Sequence, residues 1–218
     1  MKSDNHVDGN GDVMNKKFCF DKLIHELDPI DYDVFKNSPE DFWAVVTNME
    51  SGKAEYIKID DLSKEEQVET LRASGSMPFV SRPVEINGKK YLDGGTADSI
   101  PIDNIMELGY DKIIVVLTRT AGYRKEKGNQ SLAKIKYRKY PNFIKTIEDR
   151  YLMYNDELDK VEKLEKENKI FVIRPSRKVN IKRIEKNSER IQEMYDLGLK
   201  DMEKSIENLK EYLNTEVE

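Results

Sequence analysis

Asp93 carries the strongest chemical prospects in this chain, because Gly94 and Gly95 follow it directly at the exit of the apolar pair Tyr91-Leu92. A carboxylate beside two glycines sits on backbone that a reacting group can approach closely. Such a group can accept a proton or orient a nucleophile. The plain alternative is an aspartate in a turn, with Gly94 and Gly95 supplying positive φ. Other groups offer less. Neither His6 nor His25 stands in a metal-binding spacing such as H-E-x-x-H, and neither is a fitting base for a Ser-His-Asp triad. The single cysteine, in Phe18-Cys19-Phe20, reads as a small buried hydrophobe rather than a nucleophile. One cysteine and isolated histidines speak against zinc, and no Walker loop or G-x-G-x-x-G supports nucleotide binding. Asp8-Gly9-Asn10-Gly11-Asp12 opens like a calcium loop, but Val13 stands where that loop needs glycine and Cys19 where it needs a bidentate glutamate. No metal and no cofactor is expected.

The elements that must position Asp93 follow from periodicity. Phe18, Phe20, Leu23, Ile24 and Leu27 have the spacing of a short amphipathic helix, stopped by Asp28-Pro29. Residues 42–47 form a continuous apolar run of buried-strand length, and residues 54–59 alternate as a neighbouring strand does. Ser63-Lys64-Glu65-Glu66 has capping-box spacing and opens a helix toward Ala73. Val84-Glu85-Ile86 and residues 89–92 flank Asn87-Gly88, the pair that favours a type I′ hairpin turn, and this hairpin delivers Asp93 at its exit. Residues 102–108 make a helix ended by Gly109. Residues 112–118 and 170–173 are further buried strands. Residues 143–169 form a long polar helix or pair of helices, with Leu152, Leu158, Val161 and Leu164 inward. Residues 184–213 form an amphipathic helix in which Gly198 permits close contact with the sheet. Helices interleaved with buried strands indicate a layered α/β domain with a largely parallel sheet.

Length and charge bound the rest. At 218 residues the chain is one domain or a large part of one. No apolar run approaches the ~18 residues of a membrane span, and the N-terminus has no signal-peptide pattern. A lone thiol fits a reducing compartment, with the cytoplasm as the default. The net charge of −5 argues against nucleic acid as a partner. One local exception is residues 123–140, where seven lysines and arginines face a single acid, Glu126. That segment is either a solvated face or a patch for anionic headgroups.

The surroundings of Asp93 resemble the patatin-like phospholipase family. The matching features are Ala73-Ser74-Gly75-Ser76-Met77-Pro78 at a helix end, Pro83-Val84-Glu85-Ile86, the Asn87-Gly88 turn, Asp93-Gly94-Gly95 and Ile100-Pro101-Ile102. Gly109-Tyr110-Asp111-Lys112, Ile173-Arg174-Pro175-Ser176 and Tyr195-Asp196-Leu197-Gly198 extend the likeness, so that it spans about residues 18–213. The resemblance implies a three-layer α/β/α fold with a largely parallel central sheet. It also implies a hydrolase of lipid acyl esters that uses a Ser–Asp dyad, with a lipid or acyl-ester substrate and possible peripheral contact with a membrane. Asp93 matches the dyad aspartate, and Gly94 and Gly95 would shape its loop.

The family's G-x-S-x-G nucleophile elbow has no counterpart in these residues. Ser74 and Ser76 lack the elbow spacing and take a structural role. Residues 1–15 then read as a polar, disordered lead-in, and 16–218 as the C-terminal portion of an N-terminally truncated patatin-like domain. Uncovered sheet edge and helix faces are expected to weaken such a domain or make it self-associate. It is expected to be inactive alone, since serine and base act as a unit. The alternative is a non-catalytic binding or regulatory relative that contacts lipid headgroups through residues 123–140. Acyl length, headgroup and oligomeric state are not readable from these residues.

Overall fold

Short connections dictate the pairing of the first strands. In the computed structural model, which describes residues 17–182 and 184–215, β1 (Phe42–Asn48) turns into β2 (Ala54–Ile59) through five residues, and β3 (Val84–Ile86) into β4 (Lys89–Asp93) through two. Loops of that length permit antiparallel neighbours only. The sheet has the order β2-β1-β4-β3, with Val46 opposite Asp93 and Thr47 opposite Leu92. The fold is mixed α/β, but the expectation of a largely parallel central sheet is corrected: all three pairings of this sheet are antiparallel. The apolar run of β1 is explained by its central position rather than by parallel pairing.

The chain divides into two units. One comprises Met1–Ile100 and Glu126–Tyr154, the other Pro101–Lys125 and Asn155–Glu218. The expected lead-in at residues 1–15, with His6 and the calcium-like loop, lies outside the described residues.

In the first unit, adjacent residues of β4 point to opposite faces, as strand geometry requires. Tyr91 packs with Val46, Val84, Ile86 and Ala73, the last from α2 (Glu65–Ser74). Leu92 packs with Met49 from the turn after β1, with Ala133 of α4 (Ser131–Lys136) and Tyr137 just past its end, and with Phe143 and Ile147 of α5 (Pro141–Lys166). Toward β2, Ala44, Ile59 and Leu62 meet Val68 and Leu71 of α2 and Tyr32 and Phe35 of α1 (Tyr32–Lys36). The expected amphipathic helix at the start is wound as a π-helix, Phe18–Leu27, with no buried residue. The capping box is not formed: α2 begins at Glu65 after Lys64, and the Ser63 hydroxyl donates to Asp61 instead.

The second unit holds α3 (Ile102–Glu107), the parallel pair β5 (Ile114–Val116) and β6 (Phe171–Ile173), the end of α5, and α6 (Ser188–Asn214). The strand expected over 112–118 shrinks to three residues and is not buried, with Val116 70% exposed. Its apolar neighbours Ile113 and Leu117 fill the core instead. The long polar element expected over 143–169 is one helix, α5, which ends at Lys166, and Leu152 is exposed rather than inward. Helix α6 starts at Ser188, four residues later than its pattern suggested, and a side chain at Gly198 would touch nothing, so no close approach occurs there.

Candidate functional site

The hairpin turn has the geometry its sequence demands, with φ of 50° at Asn87 and 75° at Gly88. It holds β4 in register against β1, and Asp93 ends the strand. Three backbone-directed bonds pin Asp93. Its N–H donates to the Ser76 carbonyl (2.8 Å), and its own carbonyl accepts from Thr47 Oγ1 (2.8 Å). Its Oδ1 accepts the Gly95 N–H at 2.9 Å, capping the 3-10 turn Gly94–Thr96. Oδ2 accepts no hydrogen bond among the described residues, so one carboxylate oxygen is fixed and the other is open to a donor.

The two glycines are required for space, not for handedness. Neither has positive φ, in contrast to the turn account of their presence. A Cβ on Gly94 would lie 2.1 Å from the Val45 carbonyl oxygen, so the loop rests directly on the β1 backbone. A Cβ on Gly95 would stand 3.2 Å from Asp93 Oδ1, 3.6 Å from Arg150 Nη2 and 3.7 Å from Ser99 Oγ. Gly95 therefore leaves a notch lined by a carboxylate, a guanidinium and a hydroxyl.

The turn beyond it is densely polar. Ser99 Oγ donates to the Gly95 carbonyl (2.6 Å), and the Tyr56 hydroxyl donates to Asp98 Oδ2. Thr96 Oγ1 and Asp98 Oδ1 are buried and have no hydrogen-bond partner among the described residues. Such atoms are uncommon in folded chains and cluster where function demands them. A cleft of about 400 Å³ adjoins this turn, lined by Thr96, Ala97, Gly52, Asn142, Lys145 and Asp149. Sequence reasoning missed Thr47, Tyr56, Asp98 and Arg150. Asp98 is five residues from Asp93 and could have been flagged; the others come from distant elements, and no local signal marks them.

The remaining candidates fall away from chemistry. Ser76 is buried and its hydroxyl donates to the Arg72 carbonyl (2.7 Å), the structural role expected of it. His25 is exposed, with Nδ1 2.8 Å from the Asp21 carbonyl and Nε2 3.1 Å from the Tyr32 hydroxyl. Cys19 is a free thiol, half-buried rather than buried. Among the described residues no three His, Cys, Asp or Glu side chains are grouped to hold a metal, and no helix is long and apolar enough to cross a membrane. In the basic segment, Arg124 is committed to Asp159 and Glu162, whose carboxylates raise its pKa; the largest effect is the hydrogen bond it donates to Glu162.

Two parts of the chain are similar to known families. Residues 18–106 match the patatin-like phospholipase family. The patatin-like segment takes in the whole four-stranded sheet, α2 and the Asp93 turn, and so covers the features that carried the resemblance most specifically. It is narrower than the span of 18–213 over which the likeness was read. Residues 140–214, from the start of α5 through α6, match a separate domain of unknown function, DUF6363. No curated protein matches the chain.

Proposed function

We propose that the patatin-like segment carries the aspartate half of a Ser–Asp acyl-hydrolase site that acts on lipid esters, with Asp93 as its carboxylate. The observation that carries this reading is the state of that carboxylate: Oδ1 is fixed by the Gly95 N–H while Oδ2 accepts no hydrogen bond among the described residues, at a strand exit inside the matched segment. In the reaction, a serine Oγ attacks the acyl carbonyl carbon as Asp93 takes the hydroxyl proton. The ester C–O bond then breaks, and the proton passes to the departing alcohol. In a second round water attacks the acyl-serine as the same carboxylate takes its proton, the acyl–Oγ bond breaks to release the fatty acid, and the proton passes to the serine Oγ. Gly94 and Gly95 keep the loop low against β1, so a nucleophile can reach the carboxylate. With this reading goes the family's three-layer α/β/α architecture, to which the four-stranded sheet contributes an antiparallel part.

The 218 residues contain no G-x-S-x-G, so the experiment supplies a segment that bears one. Hydrolysis of p-nitrophenyl acyl esters is measured for the chain alone and joined to, or mixed with, a segment bearing the elbow. The expected outcome is turnover in the second case only, reduced on the order of 10³-fold or more by Asp93→Asn with the fold intact. Undiminished activity in Asp93→Asn would remove the assignment. Robust turnover by the chain alone would remove the need for an outside serine. Failure of every combination to hydrolyse esters favours a non-catalytic relative instead.

A further inference from the structure

From residue 127 to residue 147 the chain holds no carboxylate, whereas Lys127, Lys134, Lys136, Arg138, Lys139 and Lys145 all fall within that stretch. Helix α4 lies in it, and its apolar residues divide in two. Ala133, and Tyr137 just past the helix end, are buried in the cluster with Met49, Leu92 and Phe143. Leu132 and Ile135 are instead 67% and 72% exposed. Three positions apart on a helix, they share one face. Lys134, Lys136, Arg138 and Lys139 are exposed around them. Of these, Lys134 pairs with Glu148 at 3.1 Å and Lys136 lies over the Tyr137 ring.

A third apolar group belongs to the same neighbourhood. Phe79 is 40% exposed, and its φ of 71° puts a bulky residue in the left-handed region that L side chains avoid. Tyr137 holds it there: the Phe79 N–H donates to the Tyr137 hydroxyl oxygen at 2.8 Å, and the two rings lie 5.4 Å apart. A strained backbone that presents an aromatic ring to solvent persists only when its surroundings enforce it, and such sites concentrate where function demands them.

Single exposed apolar residues are ordinary. Two aliphatics on one helix face, an enforced aromatic beside that helix and a run of cations without acids form the pattern of segments that lie in a membrane interface. We propose that Phe79, Leu132 and Ile135, together with Lys134, Lys136, Arg138 and Lys139, form a docking surface for a bilayer that displays anionic lipid headgroups. Charge selects this occupant. The chain as a whole is anionic and would be repelled by such a bilayer everywhere except at a patch of this kind. The apolar side chains need a hydrocarbon phase to enter, which a nucleic acid does not offer. The proposal goes beyond the hydrolase reading and stands without it, because binding is measured with no turnover.

The test is co-sedimentation of the 218-residue chain with phosphatidylcholine vesicles, with and without phosphatidylglycerol. Binding is expected for the vesicles with phosphatidylglycerol, and it should weaken as salt is raised. The variant K136Q/R138Q/K139Q should lose about fivefold per cation, roughly a hundredfold in all. The variant L132S/I135S should lose roughly tenfold. Both substitute exposed side chains, so far-ultraviolet circular dichroism should be unchanged. Equal binding to neutral vesicles, no binding by the parent chain, or parent-like binding by both variants would overturn the proposal. Retention on immobilised RNA without vesicle binding would assign the patch to a polyanion. A dimer in sedimentation velocity that L132S/I135S dissolves, again without vesicle binding, would assign it to a second copy. Either of these last two outcomes would overturn it as well.

Discussion

Gly94 and Gly95 are neighbours with different reasons to be glycine, and mutation separates them. The Cβ of Gly94→Ala would fall 2.1 Å from a β1 carbonyl oxygen, a contact backbone cannot relieve without moving the strand. Its expected cost is about 3 kcal/mol in urea denaturation. Gly95→Ala meets side-chain atoms at 3.2 Å and beyond, which can yield, so a cost under about 1 kcal/mol is expected. Equal costs for the two would show that the close approach to β1 is not what Gly94 provides. Tyr137→Phe removes the acceptor of the Phe79 N–H and is expected to cost about 1 kcal/mol, read from the same denaturation curves. At this scale the position of Asp93 at a strand exit was legible from its motif. Thr47, which binds its carbonyl from 46 residues away, was not, because hydrogen bonds between distant residues leave no trace in local spacing.

Among the elements, the β3–β4 hairpin is where local sequence and structure agree most closely. Asn87 and Gly88 adopt the positive φ values their residue types allow, and the hairpin sets the register that places Asp93 opposite Val46. A Cβ at Gly88 would meet nothing, so Gly88→Ala probes backbone conformation alone. The expected loss is about 1 kcal/mol in the thermal or urea transition, and no loss would argue against a type I′ turn. Elsewhere local signals were overridden. Ser63 had the spacing of a capping box, yet its hydroxyl serves Asp61, which also accepts from Lys36. Residues 112–118 were apolar enough for a long strand, but a partner, β6, exists for only three of them. In this apolar run only Ile113 and Leu117 are buried, and strand length depends on the neighbour.

For the molecule as a whole, acid stability is set by carboxylates that folding holds ionised. Hydrogen bonds from the Ser63 hydroxyl and from Lys36 bring Asp61 down to about 2, from 3.8. Backbone N–H groups of Asn187 and Lys182 bring Glu185 to about 2, from 4.5. The backbone N–H of Ser176 lowers Asp201 as well. Each folded-state value lies below its unfolded one, so each contribution is present in full above the unfolded value and is lost as pH falls through the folded one. The melting temperature should therefore hold down to about pH 4.5 and fall between there and about pH 2. Asp61→Asn and Glu185→Gln should lower it at neutral pH and flatten that fall, as followed by circular dichroism. A melting temperature that does not change across this window in the parent chain would contradict the assignment.

By itself, the sequence determined the hairpin, the helix before it and the likeness around Asp93-Gly94-Gly95, because each rests on residues close together whose types restrict the backbone directly. Tertiary structure alone decided that β4 pairs with β1, antiparallel, and so completes the sheet around Asp93, since β1 and β4 are not consecutive in the chain. It decided that Gly94 is demanded by contact with β1. It also brought Tyr56 and Arg150 to the turn that carries Thr96, Asp98 and Ser99. These outcomes depend on atoms adjacent in space and distant in sequence, where spacing along the chain carries no information.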